Sequence, residues 1–482
     1  MSTTVPPPST PSPAGVRAPI DRYSAAPDDA HRASNPVATE RRRIASLDIV
    51  RGAVMALMAI DHVRVFSGIP AGGPTPGLFF TRWVTHFCAP AFIFLAGTAA
   101  FLYGEKVRDR GRLARFLLTR GVWLVLLELT VLRFAWTFNF DYAHYSLAGV
   151  IWVIGWCMVL MAALVRLPTV AVATVGIAIV ALHNMTDAYL PQLTRAAASS
   201  SVGWLWQLLY FGGSISLGGG ENAPQLAVLY SIIPWIGVMA AGFAFGRVIT
   251  LDTTRRRRWC YALGSGAIAP FLILRGFNLY GDPRPWGDAA RRAQAQRQAA
   301  QRQAAPRGTP PPARPAPAAT GAPPTTAGGQ APPRATPPRR QAPPPTPAVL
   351  QFLGTNKYPA SLLFLLMTLG PTILVLPLLE RARGPVARVL TVFGRVPFFY
   401  YVLHIPLIHL IFVALSLVRF GSVIPWLTAN HPMFAPPAPP GYTYSLLALY
   451  AITVLVVGLL YFPCRWFAGL KARRSDRWLS YL

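Results

Sequence analysis

The sequence predicts an all-α fold, a polytopic membrane bundle of about ten helices, on three observations. Apolar residues make up 53% of 482, and mean hydropathy is +0.39. Apolar runs of about 18 to 22 residues, enough to cross a bilayer, recur from Ala45 to Phe467. Short basic segments separate those runs, as loops on the cytoplasmic side of a membrane do.

In chain order, residues 1–40 are rich in Pro, Ser, Thr and Ala without a signal-peptide core and read as a disordered cytoplasmic tail. Spans are expected near 45–66, 84–103, 116–136, 146–165, 168–186, 226–246 and 259–276 in a first membrane part, residues 41–287. Spans near 359–379, 390–418 and 443–467 lie in a second part, residues 349–482, with a short basic tail. The run 202–211 is too short to span and reads as an interfacial or re-entrant helix. Residues 288–348 turn to Pro, Ala, Gln, Arg and Thr, with no acid after Asp288 until Glu380, a composition that cannot bury a core. They read as a disordered insertion between two halves of one domain.

The net charge of +28 comes from 45 Lys and Arg against 17 Asp and Glu. The bases cluster between spans, as at Arg41 to Arg43 and Arg255 to Arg258, and fit anchoring to anionic lipid, not a nucleic-acid groove. With the amino terminus cytoplasmic, the basic loops fall inside and both termini are expected in the cytoplasm. Cys88, Cys157, Cys260 and Cys464 show no CxxC spacing and read as packing residues, so no metal site is expected.

Chemistry concentrates on the first span. At ~100° per residue, Asp48, Arg51, Met55, Met58 and His62 share one face of SLDIVRGAVMALMAIDHVRVF. Ionisable groups in a membrane helix face the bundle interior or a wet cavity. In the expected topology His62 ends the first span on the outer side, where Arg82 and His86 open the second. Glu128 lies in the third span, with Asn139 and Asp141 at its outer end, and Asn278, Asp282, Asn356 and Lys357 gather at the same end of later spans. In the ninth, His404 and His409 are about 140° apart around the helix, whereas Arg395 and His409 share a face. Asp61 points about 100° away from His62, so a carboxylate orienting that imidazole is expected from another helix, with Asp141 or Glu128 as candidates. Catalysis, solute transport along the same polar stripe, and a scaffold that tethers acidic polymer through the insertion all fit this pattern.

SLDIVRGAVMALMAIDHVRVF, FTRWVTHFCAPAFIFLAGTAAFLYG, LLTRGVWLVLLELTVLRFAWTFNFDY, IIPWIGVMAAGFAFG, FNLYGDPRPW, TNKYPASLLFLLMTLGP and FGRVPFFYYVLHIPLIHL together resemble bacterial membrane proteins grouped with the heparan-alpha-glucosaminide N-acetyltransferase catalytic domain, within the wider group of transmembrane acyltransferases. The resemblance implies transfer of an acetyl group from cytoplasmic acetyl-CoA, as co-substrate, to a sugar or glycan across a bacterial inner membrane. On that reading His62, as general base or acyl carrier, or else His86, is the reactive histidine, with Asp61, Glu128 and Asp141 as further catalytic candidates. Arg51, Asp48, Arg82 and Arg395 are the candidates for holding acetyl-CoA, and Asn139, Asn278, Asp282, Asn356, Lys357, His404 and His409 for the acceptor. The partners expected are membrane lipid and the glycan or amino-sugar acceptor, with a homodimer left open and nucleic acid excluded.

Overall fold

The computed structural model describes residues 44–288 and 346–474, apart from 74, 199, 221 and 222, together with positions 476 and 479. The expected tail and nearly all of the insertion lie outside the described residues. What is described is mostly helical, with a helix in every range read as a span. Among the described residues six helices are long and apolar enough to cross a membrane: Pro76–Val107, Thr169–Asp187, Ile232–Ile249, Leu362–Leu379, Pro397–Phe420 and Leu446–Arg473. Of the rest, Val150–Leu164 is apolar but shorter, while Ala45–Phe66 and Thr253–Gly276 carry more charge.

Three expected boundaries move. The second span starts earlier, with Pro76–Trp83 running through a single 3-10 turn into Cys88–Val107. The third contains a π turn, Glu128–Leu132, before it ends at Thr137. The ninth is two helices, Pro385–Arg395 and Pro397–Phe420, broken at Val396, where the following proline disfavours helical backbone. Arg395 and His409 are therefore on different helices and share no face.

The starts of the fourth and sixth expected spans are strands. Tyr145–Ala148 pairs in parallel with Gln225–Val228, which pairs antiparallel with Gly213–Ser216. A short apolar run has no period that separates strand from helix; pairing between distant segments made the choice. The run at 202–211 forms a helical turn and a π turn, Gly203–Trp206 and Gln207–Phe211, leading into that sheet.

Small residues let the long helices approach closely. A Cβ at Gly394 would sit 1.8 Å from the Asp48 carbonyl oxygen, and one at Gly52 would sit 1.9 Å from that of Leu390. Helix Pro385–Arg395 is thus pressed against the amino-terminal half of Ala45–Phe66, backbone to backbone. The flanks of the insertion are also tied together. Arg275, 2% exposed, donates to the carbonyls of Arg284 (2.6 Å), Gln351 (2.8 Å), Phe352 (2.9 Å) and Gly354 (3.1 Å). Gln351 adds a bond from the Gly287 amide and one to the Thr346 carbonyl. Residues 287 and 346 therefore sit on one common scaffold.

Candidate active site

The polar face of the first helix points inward. Asp48, Met55 and Met58 are buried and Arg51 and His62 half-buried. Near the start of that face Arg51 lies 3.6 Å from Asp48 and donates to the Leu95 carbonyl at 3.3 Å. Fourteen residues on from Asp48, about 21 Å by helix rise, His62 meets His404 with Nδ1 2.6 Å from Nε2. The expected neighbour was His86. Instead His86 stands edge-on to Phe364 at 5.4 Å, with a buried Nδ1 that has no partner.

The partners assign the protons. His404 Nδ1 lies 2.6 Å from the Tyr401 carbonyl, which can only accept, so Nδ1 carries the hydrogen. In neutral His404, Nε2 is then the acceptor, and His62 Nδ1 must donate to it. The lone pair of neutral His62 is thereby on Nε2. Trp136 packs edge-on at 4.8 Å and holds the ring from the side. The orienting group from another helix is thus an imidazole rather than a carboxylate.

Neither carboxylate candidate occupies that position. Glu128 is fully buried and accepts from the amides of Ile151 (3.0 Å) and Trp152 (3.3 Å), the free donors at the start of Val150–Leu164. It is a helix cap, and its other oxygen has no partner. Asp141 lies 2.5 Å from His144 in an exposed pair. Asp61, by contrast, is in the cluster beside His62, bridging Arg64 at 3.0 Å and Arg82. Arg64 escaped the sequence reading although its i,i+3 spacing from Asp61 marked it as a partner. Arg82 is bound to Asp61 at this end of the bundle, so it does not join Arg51, Asp48 and Arg395 in a single cofactor site.

A cavity of about 40 Å³ lies against His62, lined also by Asp61, Thr85, Cys88, Tyr230 and Lys357. That is room for a few waters, so the arrangement described is closed to a sugar. Lys357 is 6% exposed, and its ammonium lies 5.8 Å from the Tyr230 ring and 5.2 Å from that of Tyr358. Its loop is built by three of the expected substrate ligands. Asp282 accepts from the Asn356 amide (2.7 Å) and the Ser361 hydroxyl (2.8 Å). Asn356 donates to the carbonyls of Tyr358 and Pro359, and Asn278 accepts from the Trp286 amide at 3.0 Å. Their polar atoms are spent on scaffold.

The remaining candidates lie apart from the cavity. Asn139 ties its loop to the Thr428 carbonyl at 2.7 Å. His409 faces the Ala135 carbonyl at 3.1 Å and stacks on Phe138 at 3.8 Å, its Nε2 buried without a partner. Sequence reasoning missed Tyr230 and Tyr401, which carried no motif of their own. All four cysteines are free and buried, and among the described residues no group of three or more His, Cys, Asp or Glu is placed to hold a metal ion.

A mostly helical bundle with six helices apolar enough to cross a membrane, and with a His62–His404 contact and a buried Lys357 beside one small cavity, defines an integral membrane protein with a polar centre. Residues 43–277 match the family described as heparan-alpha-glucosaminide N-acetyltransferase, catalytic. Over that stretch the chain is a heparan-alpha-glucosaminide N-acetyltransferase catalytic-domain-like protein, and the match implies an acetyl-CoA-dependent membrane transferase in general. No curated protein matches the chain. His62 and His86 fall inside the matched stretch; Lys357 and His404 come from beyond it.

Proposed function

We propose that this chain is an integral membrane acyltransferase that carries an acetyl group from cytoplasmic acetyl-CoA to a sugar or glycan on the far side of the membrane, with His62 as general base. The 2.6 Å contact between His62 and His404 carries the reading, because it leaves the Nε2 lone pair of His62 available beside the cavity. In the transfer step the acceptor O–H or N–H gives its proton to Nε2 while the acceptor atom bonds to the acetyl carbon. The thioester C–S bond then breaks, and the departing thiolate takes the proton back from the imidazolium. His404 accepts from Nδ1 in both states of His62, so no tautomer change interrupts the cycle. If His62 is instead a transient acyl carrier, Nε2 bonds to the acetyl carbon as the thioester C–S bond breaks and the coenzyme A thiolate leaves; the acceptor atom then bonds to that carbon, the C–Nε2 bond breaks, and the acceptor's proton passes to the thiolate.

Lys357 supports this reading as a cation beside the developing oxyanion in a site shielded from bulk water. Asp61, held by two arginines, keeps the electrostatic surroundings of His62 balanced. Entry of an acceptor requires the walls of the cavity to open, because its volume is only about 40 Å³. Acetyl transfer to an amino sugar, followed with labelled acetyl-CoA and purified full-length protein, tests the proposal. His62→Ala is expected to abolish transfer with insertion intact, whereas His86→Ala retains it. Label retained on the protein without acceptor marks the carrier route, and an active His62→Ala variant refutes the assignment.

A further inference from the structure

At the other end of the first helix is a recess of about 820 Å³ that no part of this reaction scheme uses. Ala45 and Ile49 form one wall, helix Pro385–Arg395 a second, and Tyr461 and Arg465 of Leu446–Arg473 a third. Four guanidinium groups line it: Arg383, Arg388, Arg395 and Arg465. No carboxylate does. Each of the four is solvent-exposed, and among the described residues none makes an ion pair, the nearby Glu380 being taken by Arg256 and Arg257.

Like charges placed around one concavity without a counter-ion repel one another, a cost that an anion in the recess would reverse. The backbone adds to the field. Gly384 caps the amino end of the 11-residue helix Pro385–Arg395 with no side chain accepting from its first amides, and both Gly384 and Pro385 line the recess. The positive end of that helix dipole therefore faces the same space as the arginines. Arginine's planar fork matches the oxygens of a phosphate in pairs.

We propose that this recess is a binding site for a phosphate-bearing anion, taken either from the nucleotide end of a coenzyme A thioester or from the headgroup of an anionic lipid. It lies about 20 Å from His62, counted by helix rise from Ile49. If the nucleotide is the occupant, the site deepens the transfer reading by anchoring the donor at the end of the bundle remote from the acceptor. The binding itself does not depend on transfer taking place.

The test uses full-length protein in detergent with two probes, adenosine 3′,5′-bisphosphate and phosphatidylglycerol, with phosphatidylcholine as the uncharged comparison. Affinity is measured for the wild type and for Arg388→Gln, Arg395→Gln and Arg465→Gln, with Arg112→Gln, an exposed arginine far along the chain, as control. Each recess substitution is expected to weaken binding roughly tenfold, the weight of one charge-assisted contact, and lysine at the same position to restore part of it. Loss confined to the nucleotide identifies the donor, and loss confined to the lipid identifies the headgroup; both support the site. For variants that fail to fold, phenylglyoxal labelling of the wild type replaces the affinities, with the probe expected to protect the four recess arginines and not Arg112. Equal affinity in wild type and variants, or no protection by either probe, overturns the proposal. Acetyl transfer is scored separately, so an inactive enzyme that still binds the nucleotide refutes the transfer reading and leaves the site standing.

Discussion

His404→Ala removes the one acceptor that orients the His62 ring, and its effect follows from the 2.6 Å contact. Without His404, the Nδ1 hydrogen of His62 loses the acceptor that it has in the observed ring orientation. Leaving a buried donor unsatisfied costs about 1–3 kcal/mol, paid each time the ring takes its productive pose. At about 1.4 kcal/mol per decade, kcat for acetyl transfer should fall roughly 5- to 150-fold. Loss of the base itself costs about 10²–10⁴-fold, so His62→Ala should be the more damaging change. Steady-state kinetics with acetyl-CoA and an amino-sugar acceptor separate the two, and KM for acetyl-CoA should stay within a fewfold because His404 is remote from the arginine recess. An unaltered kcat in His404→Ala, or an effect carried entirely by KM, would refute the orienting role.

Three further outcomes are expected. Replacing residues 289–345 by a short Gly-Ser linker should leave the thermal melting of the protein within a few degrees, because Arg275 and Gln351 already join the two flanks; a collapse in yield or melting temperature would contradict that. Gly394→Ala places a methyl 1.8 Å from the Asp48 carbonyl oxygen and should destabilise the protein by about 1–3 kcal/mol, read as a lower melting temperature in detergent. Burial raises the pKa of the Glu380 carboxyl, but its hydrogen bonds to Arg256 (2.8 Å) and Arg257 (2.7 Å) outweigh that and hold it below the ordinary 4.5. A depressed folded-state pKa stabilises the protein above the unfolded value, so this contribution should be present above about pH 4.5 and disappear as pH falls through the folded value. Glu380→Gln should flatten that part of the stability profile, measured by melting against pH.

Much of the architecture was legible because a bilayer imposes a length on each apolar run. The inward face of the first helix was equally legible, since Asp48, Arg51, Met55, Met58 and His62 recur at helical spacing and an ionisable residue in lipid has few places to point. The same reasoning failed where segments distant in the chain compete for one polar atom. Glu128 read as a catalytic acid but caps the helix that begins 22 residues later, and Asp282 and Asn356 read as substrate ligands but fold the loop that presents Lys357. The strands at 145 and 225 are short apolar runs with no period that separates strand from helix, and the pairing that joins them to each other spans some 80 residues of chain.

By itself the sequence determined that this chain is a helical membrane protein and which face of its first helix turns inward, since hydropathy and helical period act within one segment. Only the tertiary structure decided that His404, 342 residues away, orients His62, and that four arginines from two helices and a loop surround one recess. Hydrogen bonds and electric fields depend on separations in space, and those are set only when the helices pack.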